Sequence, residues 1–264
     1  GGFLVYHGDD GHATTFDFRE KAPLAASESM YLGVDGRVIN NSNHIGMLAI
    51  GVPGTVAGLY KAHQELGSLP WEDLVAPAVA LARDGIPINY SLQIGFARSA
   101  NRFRQYPSSA EKFFRADGSL YELGDTWLQP DLSHTLELIQ NNGRDGFYKG
   151  ENAKKLADFM AANGGMITEE DLEIYEAVER EPIRGTYRGY EIVSMPPPSS
   201  GGTALVQMLN ILEGYDLASL GHNSADYLHV LTEAMRRAYA DRAEHLGDPD
   251  FNESMPLDRL MDKE

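Results

Sequence analysis

The sequence has no cysteine among its 264 residues. Disulfide bonds, thiolate metal sites and a thiol nucleophile are therefore excluded. No apolar run approaches the ~18 residues that a membrane-spanning helix needs, so we expect no membrane span in this chain. Positive charge is also scarce, with 22 Lys and Arg against 39 Asp and Glu and a net charge of −17. That balance repels phosphate backbones and argues against a nucleic-acid partner.

The content of hydrophobic residues, 42%, is typical of a folded globular protein. A chain of this length can bury roughly three quarters of its unfolded surface in one compact body. No linker, repeat or low-complexity tract interrupts it, so we expect residues 1–264 to form a single domain. The chain opens on "GGFLVYHGD" rather than on Met. We therefore expect it to be part of a longer protein, with room for a removed export signal.

Helical patterns dominate the sequence. Helices are expected over 51–67, 70–85, 91–105, 131–141, 151–163, 203–213 and 224–247. Pro77 is expected to break the second of these after a short first turn, because proline has no N–H to donate. Thr168, followed by Glu-Glu-Asp, matches a helix N-terminus. Period-two alternation predicts a strand at 13–19 and a hairpin or bent strand pair at 183–195. Either the fold is mostly α, or the sheets find partners outside this chain.

The stretch "MPPPSSGGTALVQML" at 195–209 raises the question of a nucleophilic serine. Ser199 or Ser200 would need a base and an oxyanion hole within reach, and the G-x-S-x-G motif is absent. The structural alternative is that the prolines form a stiff extended rod, that Ser200 caps the next helix, and that Gly201 and Gly202 allow close backbone entry. The residues alone favour this structural interpretation.

Two other patterns are weak. The string "SAEK" at 109–112 matches S-x-x-K, but the S-D-N and K-T-G motifs that accompany it are missing. His229 and Glu233 are four residues apart on one predicted helix, with more His and carboxylate side chains at 241–245, and such groups bind zinc or manganese. H-E-x-x-H is absent, so a solvated polar face is the favoured alternative. We therefore predict no metal site and no cofactor.

Arg19 is the strongest single candidate for a ligand-binding residue, because it lies at the end of an alternating strand. A guanidinium there can form a bidentate pair with a carboxylate. That carboxylate belongs either to a ligand or to the protein itself, as in an internal ion pair with Glu20 or another acid. The residues alone leave both alternatives open.

Six strings carry a family resemblance. They are "ATTFDFREKAP" at 13–23, "GVPGTVAGL" at 51–59, "AVALARDG" at 78–85, the segment from "NGG" to "YRGYEI" at 163–192, "MPPPSSGG" at 195–202 and "YADRAEHLGDPDF" at 239–251. Together, and in this order, they resemble the large subunit of γ-glutamyltransferase (γ-glutamyltranspeptidase), one of the N-terminal nucleophile hydrolases. The resemblance covers nearly the whole chain.

The resemblance implies a fold and a reaction. The fold is α+β: part of a four-layer αββα sandwich, helix-rich and completed by a small subunit that is not in this chain. The reaction is transfer or hydrolysis of the γ-glutamyl group of glutathione and related compounds through an acyl-threonine. Self-cleavage of the precursor exposes the nucleophilic Thr at the start of the small subunit. Residues 1–264 therefore contain no catalytic residue, and this fragment alone is expected to be inactive. Arg19 pairs with the α-carboxylate of the donor.

Partners and location are also implied by the resemblance. The partners are the small subunit of the same precursor, glutathione and other γ-glutamyl donors, and amino acid or dipeptide acceptors. The location is periplasmic or secreted. The family's substrate-holding serines and oxyanion glycines belong to the small subunit, so the "PPPSSGG" loop is expected only to lead into a buried helix. The alternatives are a β-lactam acylase of the same superfamily, acting on a glutaryl or related side chain, and a non-catalytic interaction chain.

Overall fold

The computed structural model describes residues 1–263, which form a helix-rich α+β structure. The chain divides into two compact units. The first contains Gly1–Arg19 together with the chain from Glu176 onward, and the second is Glu20–Tyr175. That residues 1–264 act as a single domain stays a prediction.

The strands are short. Those of the first unit are β1 (Phe3–His7), β2 (Ala13–Asp17), β5 (Val178–Arg180), β6 (Ile183–Tyr187) and β7 (Tyr190–Ser194); those of the second are β3 (Ile86–Pro87) and β4 (Thr126–Trp127). They form an antiparallel sheet in the order β1-β2-β5 and two antiparallel pairs, β3-β4 and β6-β7. The pair β6-β7 is the hairpin that the sequence predicts.

Most of the residues in regular secondary structure belong to helices. Those of the second unit are α1 (Thr55–Leu66), α2 (Trp71–Asp84), α3 (Tyr90–Phe103), α4 (Pro107–Phe113), α5 (Pro130–Asn142), α6 (Asp145–Tyr148), α7 (Gly150–Ala162) and α8 (Glu169–Glu173). Those of the first are α9 (Gly201–Glu213), α10 (Leu217–Leu220), α11 (Ala225–His245) and α12 (Leu257–Leu260). Each helix expected from the sequence is present. The short elements α4, α6, α10, α12, β3, β4 and β5 were not predicted.

The strand β2 is more deeply buried than its alternating sequence suggests. It is the central strand of its sheet, and all five of its residues are buried, with Thr15 and Phe16 fully inaccessible. Thr15 can be buried because its hydroxyl donates to the Arg180 carbonyl at 2.7 Å, which satisfies its polar atom. The polar residues Thr15 and Asp17, at alternate positions of β2, therefore do not form a solvent-exposed face.

The predicted break at Pro77 is wrong. Helix α2 runs without interruption from Trp71 to Asp84, with Pro77 inside it. Proline removes the hydrogen bond to the carbonyl four residues earlier, which here belongs to Asp73. Both Pro77 and Asp73 are exposed, so water can replace the lost donor, while α2 packs against α5.

The core of the second unit centres on a buried tyrosine. Tyr148 is 1% exposed; its hydroxyl donates to the Pro53 carbonyl at 2.6 Å and accepts from the Ala57 N–H at 3.3 Å. Burial raises the pKa of Tyr148 to about 12, so the hydroxyl remains a donor. Its ring stacks on Tyr175 at a centroid distance of 5.7 Å. Apolar side chains surround this pair: Val52, Ala57, Ala153, Met160, Ile167 and Leu172.

The predicted helix start at Thr168 is confirmed as a capping box. The Thr168 hydroxyl accepts from the Asp171 N–H at 3.2 Å, and an Asp171 carboxylate oxygen accepts from the Thr168 N–H at 2.8 Å. The other Asp171 oxygen accepts from the Leu24 N–H at 2.6 Å. Burial, the largest influence, raises the pKa of this carboxyl, but the hydrogen bonds together outweigh burial and the net pKa lies below 3.8.

We expect Asp171→Ala to lower the free energy of unfolding by about 1–3 kcal/mol at pH 7, because buried donors lose their acceptor. The lowered folded pKa means that Asp171 stabilises the protein above its unfolded pKa near 3.8. That stability is lost as the pH falls through the folded value. Urea unfolding at pH 7 and at pH 3 should therefore show a difference between native and variant that shrinks in acid. Glu170→Ala, on the exposed side of the same turn, is the control; an equal loss there would contradict the assignment.

Candidate functional site

The strand β2 delivers Arg19 to the surface of the first unit. Arg19 follows Asp17, the last residue of the strand, by two positions and is exposed, whereas residues 13–18 are buried. One Asp17 carboxylate oxygen accepts from the Arg19 N–H at 3.1 Å. The other accepts from Arg180 Nε on β5 at 2.9 Å. The main chain at Arg19 is therefore held in place by the buried carboxylate of Asp17.

The proline–serine loop before α9 lies in the same unit. Ser200 is the N-cap residue, but its hydroxyl makes no capping bond; it accepts from Arg242 Nε on α11 at 2.7 Å. The Ser199 hydroxyl accepts from the Gly201 N–H at 3.3 Å. The predicted cap at Ser200 is thus wrong, because a charged donor on α11 takes the hydroxyl. The Ser199 N–H donates to the Pro196 carbonyl at 3.1 Å, so the three prolines enter a turn and do not form the predicted extended rod.

The two glycines that follow the serines differ in their surroundings. A Cβ at Gly202 would lie 2.3 Å from the Met195 carbonyl oxygen, whereas at Gly201 the nearest atom would be Ser199 Oγ at 3.4 Å. The predicted close backbone entry into the helix is therefore confirmed for Gly202. Helix α9 begins at Gly201, two residues before the predicted start.

A cavity of about 280 Å³ is lined by both Arg19 and the proline–serine loop. It is lined by Arg19, Pro197, Pro198, Ser199, Ser200, Arg242, Ala243, Leu246, Gly247 and Asp248. The lining includes two arginines, two serines and one aspartate, so it carries net positive charge in a chain of net charge −17. Guanidinium forks and hydroxyl donors are the groups that hold a carboxylate.

The structure thus brings together residues that the sequence suggested separately. The serine loop is more than a lead-in to a helix, because it forms the wall of the cavity that contains Arg19. Arg242 was missed, although it stands in the "YADR" string at 239–242. Its contact with Ser200 spans 42 positions of the chain, which no local pattern reveals.

The cavity does not activate a serine nucleophile. Ser200 accepts from a guanidinium, which cannot remove a proton because arginine stays charged. Among the described residues that line the cavity, Asp248 carries the only carboxylate, and no hydrogen bond joins it to either serine hydroxyl. The arrangement can bind and orient an anionic group.

The helix α11 carries the residues considered for a metal. Arg236 donates to Glu233 at 2.6 Å, and the hydrogen bond lowers the pKa of this carboxyl. Asp241 accepts from Gln207. In the part of the chain that the structure describes, no group of three or more His, Asp or Glu side chains is arranged to hold a metal ion. Glu233 and Asp241 thus make polar contacts with other side chains of the protein.

The S-x-x-K string lies in the second unit on α4. The Lys112 ammonium pairs with Asp131, and the Lys112 carbonyl accepts from Trp127 Nε1 at 2.9 Å. These bonds attach α4 to β4 and to the first turn of α5. Lys112 thus forms an ion pair, and the hydrogen bond that it donates to Asp131 raises the pKa of its ammonium, so this lysine is unsuited to act as a general base.

Comparison with known proteins identifies the family. The family model described as gamma-glutamyltranspeptidase matches residues 1–264. A glutathione hydrolase proenzyme of Pseudomonas sp. (strain A14) is 45% identical over 264 residues, which is 100% of this chain and 46% of that protein. The crystal structure of Helicobacter pylori gamma-glutamyltranspeptidase superposes with a TM-score of 0.97 at 44% identity, over 100% of this chain and 75% of that one. The chain belongs to the γ-glutamyltranspeptidase family.

The comparison confirms the predicted fold class, α+β of the N-terminal nucleophile hydrolase type. The chain spans about half the length of the curated relatives it matches. A further relative, an acylase ACY 1 proenzyme of Pseudomonas sp. (strain SE83), is 39% identical over 96% of this chain and 46% of its own length. Within residues 1–263, no helix combines the length and the apolar character needed to cross a bilayer.

Proposed function

We propose that this chain is the large-subunit part of an enzyme that transfers or hydrolyses the γ-glutamyl group of glutathione and related compounds. The reaction proceeds through an acyl ester on a threonine outside residues 1–264. The observation that supports it is the cavity in which Arg19 lies beside Ser199, Ser200 and Arg242. Glutathione hydrolase is the name of a relative that is 45% identical over the whole chain.

Arg19 is proposed to bind the α-carboxylate of the γ-glutamyl donor. A carboxylate that leaves water needs charged donors to replace its hydration, and a guanidinium supplies two parallel N–H groups. The donor's α-carboxylate lies at one end of the γ-glutamyl group and the scissile amide at the other. Anchoring the first therefore orients the second toward the threonine, which is how distant binding energy assists the reaction.

The proposed partners are the small subunit of the same precursor, γ-glutamyl donors such as glutathione, and amino acid or dipeptide acceptors. The small subunit is proposed to supply the nucleophile and to complete the sandwich. The proposed location is periplasmic or secreted, as the family resemblance implies.

The direct test compares the full-length precursor with the segment 1–264 expressed alone. The precursor should cleave itself and release the aniline from a γ-glutamyl anilide. The segment alone should give no turnover above the blank, because the proposed nucleophile is missing. Turnover by the segment that is lost on denaturation would overturn this assignment. Failure of the self-cleaved precursor to use any γ-glutamyl donor would overturn the proposed function.

An acylase activity is the second candidate, favoured by the 39% identical acylase relative. A glutaryl group is a γ-glutamyl group without its α-amino group, so both keep the carboxylate that Arg19 would bind. A glutaryl anilide therefore separates the two candidates. A γ-glutamyl transferase should prefer the γ-glutamyl compound, whereas an acylase should accept the glutaryl compound and a cephalosporin amide at least as well.

We expect Ser200→Ala, in the precursor, to change kcat by less than about tenfold. The hydroxyl contacts an arginine rather than a base, so the loss of this bond, about 1.5–3 kcal/mol for a charged partner, should reduce stability more than the rate of the chemical step. Steady-state kinetics with the γ-glutamyl anilide and urea unfolding provide the measurements, with Ser199→Ala as the neighbouring control. A fall in kcat of about a thousandfold, with normal folding and self-cleavage, would be the loss typical of a catalytic group and would contradict this role.

A further inference from the structure

A buried ion pair lies directly behind Arg19. Arg180 Nε on β5 donates to an Asp17 carboxylate oxygen at 2.9 Å, and the side chains are only 16% and 8% exposed. Arg180 also donates through Nη2 to Asp250 at 3.3 Å. Asp250 lies just beyond Gly247 and Asp248, which line the cavity. The pair therefore connects the end of β2 with the segment that follows α11.

The same Asp17 carboxylate also holds the main chain of Arg19. Its second oxygen accepts from the Arg19 N–H at 3.1 Å, at the point where the ladder of β2 has ended. The Thr15 hydroxyl donates to the Arg180 carbonyl at 2.7 Å, which fixes Arg180 to the central strand. Each carboxylate oxygen of Asp17 thus accepts one hydrogen bond, from the Arg19 N–H or from Arg180 Nε. The two bonds together fix the orientation of the carboxylate group.

Stability alone is a weak explanation for this arrangement. Burying two charges costs about as much as their attraction returns, so a buried pair adds little compared with apolar side chains of the same volume. The strands β2 and β5 are already joined by their ladder. The charged pair instead adds geometric specificity, because a guanidinium and a carboxylate restrict each other's orientation.

We propose that Asp17 and Arg180 are positioning residues, which fix the main chain at Arg19 and so aim its guanidinium into the cavity. This inference rests on the proposed function, since it assumes that Arg19 binds the donor carboxylate. Arg180 acts through Asp17, and Asp17 acts through the Arg19 N–H. Neither residue touches the substrate.

The test uses Arg180→Lys in the full-length, self-cleaved protein. Lysine keeps the charge and loses the fork, so it cannot reproduce the bonds to both Asp17 and Asp250. We expect kcat/KM for the γ-glutamyl anilide to fall about tenfold to a hundredfold, the order that a small misplacement produces, mainly through KM. With 4-aminobutanoyl anilide, which lacks the α-carboxylate, the further loss should be less than about threefold, because no anchored carboxylate is disturbed.

The matched control is Glu179→Gln on the same strand. Glu179 is exposed and accepts from the Thr14 hydroxyl across the β2–β5 pair, but it does not contact Asp17 or Arg19 through a hydrogen bond in the described structure. It should change kcat/KM for the γ-glutamyl anilide by less than about twofold, since it lies outside the chain of contacts. A loss equal to that of Arg180→Lys would overturn the proposal, because any disturbance of β5 would then have the same effect.

A double-mutant cycle separates this inference from the proposed function. If Arg180 acts through Arg19, then Arg180→Lys in an Arg19→Ala background should cost less than about threefold, and the two losses should not multiply. Multiplicative losses, or equal losses with both donors, would overturn the positioning role while leaving the role of Arg19 intact. If Arg19→Ala alone weakens both donors alike, the donor-binding role of Arg19 fails, and this inference fails with it.

Discussion

Arg19→Ala, in the full-length precursor, is expected to lower kcat/KM for a γ-glutamyl anilide by roughly 30- to several-thousand-fold while folding and self-cleavage continue. Removing one partner of a desolvated charge pair costs about 2–5 kcal/mol, and each 1.36 kcal/mol corresponds to about tenfold in rate. Arg19→Lys should recover only part of the loss, since an ammonium keeps the charge but cannot form the two parallel bonds.

The control for Arg19 is the donor without an α-carboxylate. 4-Aminobutanoyl anilide should be a poor donor for the native enzyme and should lose little more with Arg19→Ala. A matched arginine variant, Arg184→Ala, removes an exposed ion pair with Glu191 on the hairpin of the same unit and should leave both donors unaffected. Equal losses with both donors would instead assign Arg19 to an internal ion pair.

Gly202→Ala is expected to destabilise the protein by about 1–3 kcal/mol, the cost typical of overpacking. A Cβ there would lie 2.3 Å from the Met195 carbonyl oxygen, which is main chain and cannot rotate away. Either the start of α9 or the loop before it must therefore shift. Since the same loop carries Ser199 and Ser200 at the cavity, KM for γ-glutamyl donors should rise as well.

Gly201→Ala is the internal control for this prediction. The new Cβ would approach only Ser199 Oγ, at 3.4 Å, and alanine is the better helix former by about 1 kcal/mol. Stability should stay the same or increase slightly, as measured by urea unfolding of the two variants side by side. Equal destabilisation by both variants would contradict the close contact at Gly202.

Elements whose determinants lie within a few residues of one another could be predicted from the sequence. The capping box at Thr168 depends on a side chain and an N–H three positions apart, so the local pattern contains all the information. The hairpin at 183–195 and the strand at 13–19 follow from period two in the same way. The six quoted strings also gave the family. At Pro77 the local rule failed, because packing along α5 and solvent outweighed one lost hydrogen bond.

The assembly of the candidate site depends on contacts between segments that are far apart in the sequence. Asp17 meets Arg180 across 163 positions of the chain, and Ser200 meets Arg242 across 42. No periodicity encodes such pairs, because they depend on which strands share a sheet and how α11 passes the loop before α9. The sequence suggested Arg19 and the two serines separately, and it favoured a cap that Ser200 does not make. Which residues share a cavity is set by packing between distant segments, whereas capping and alternation are set by neighbours along the chain.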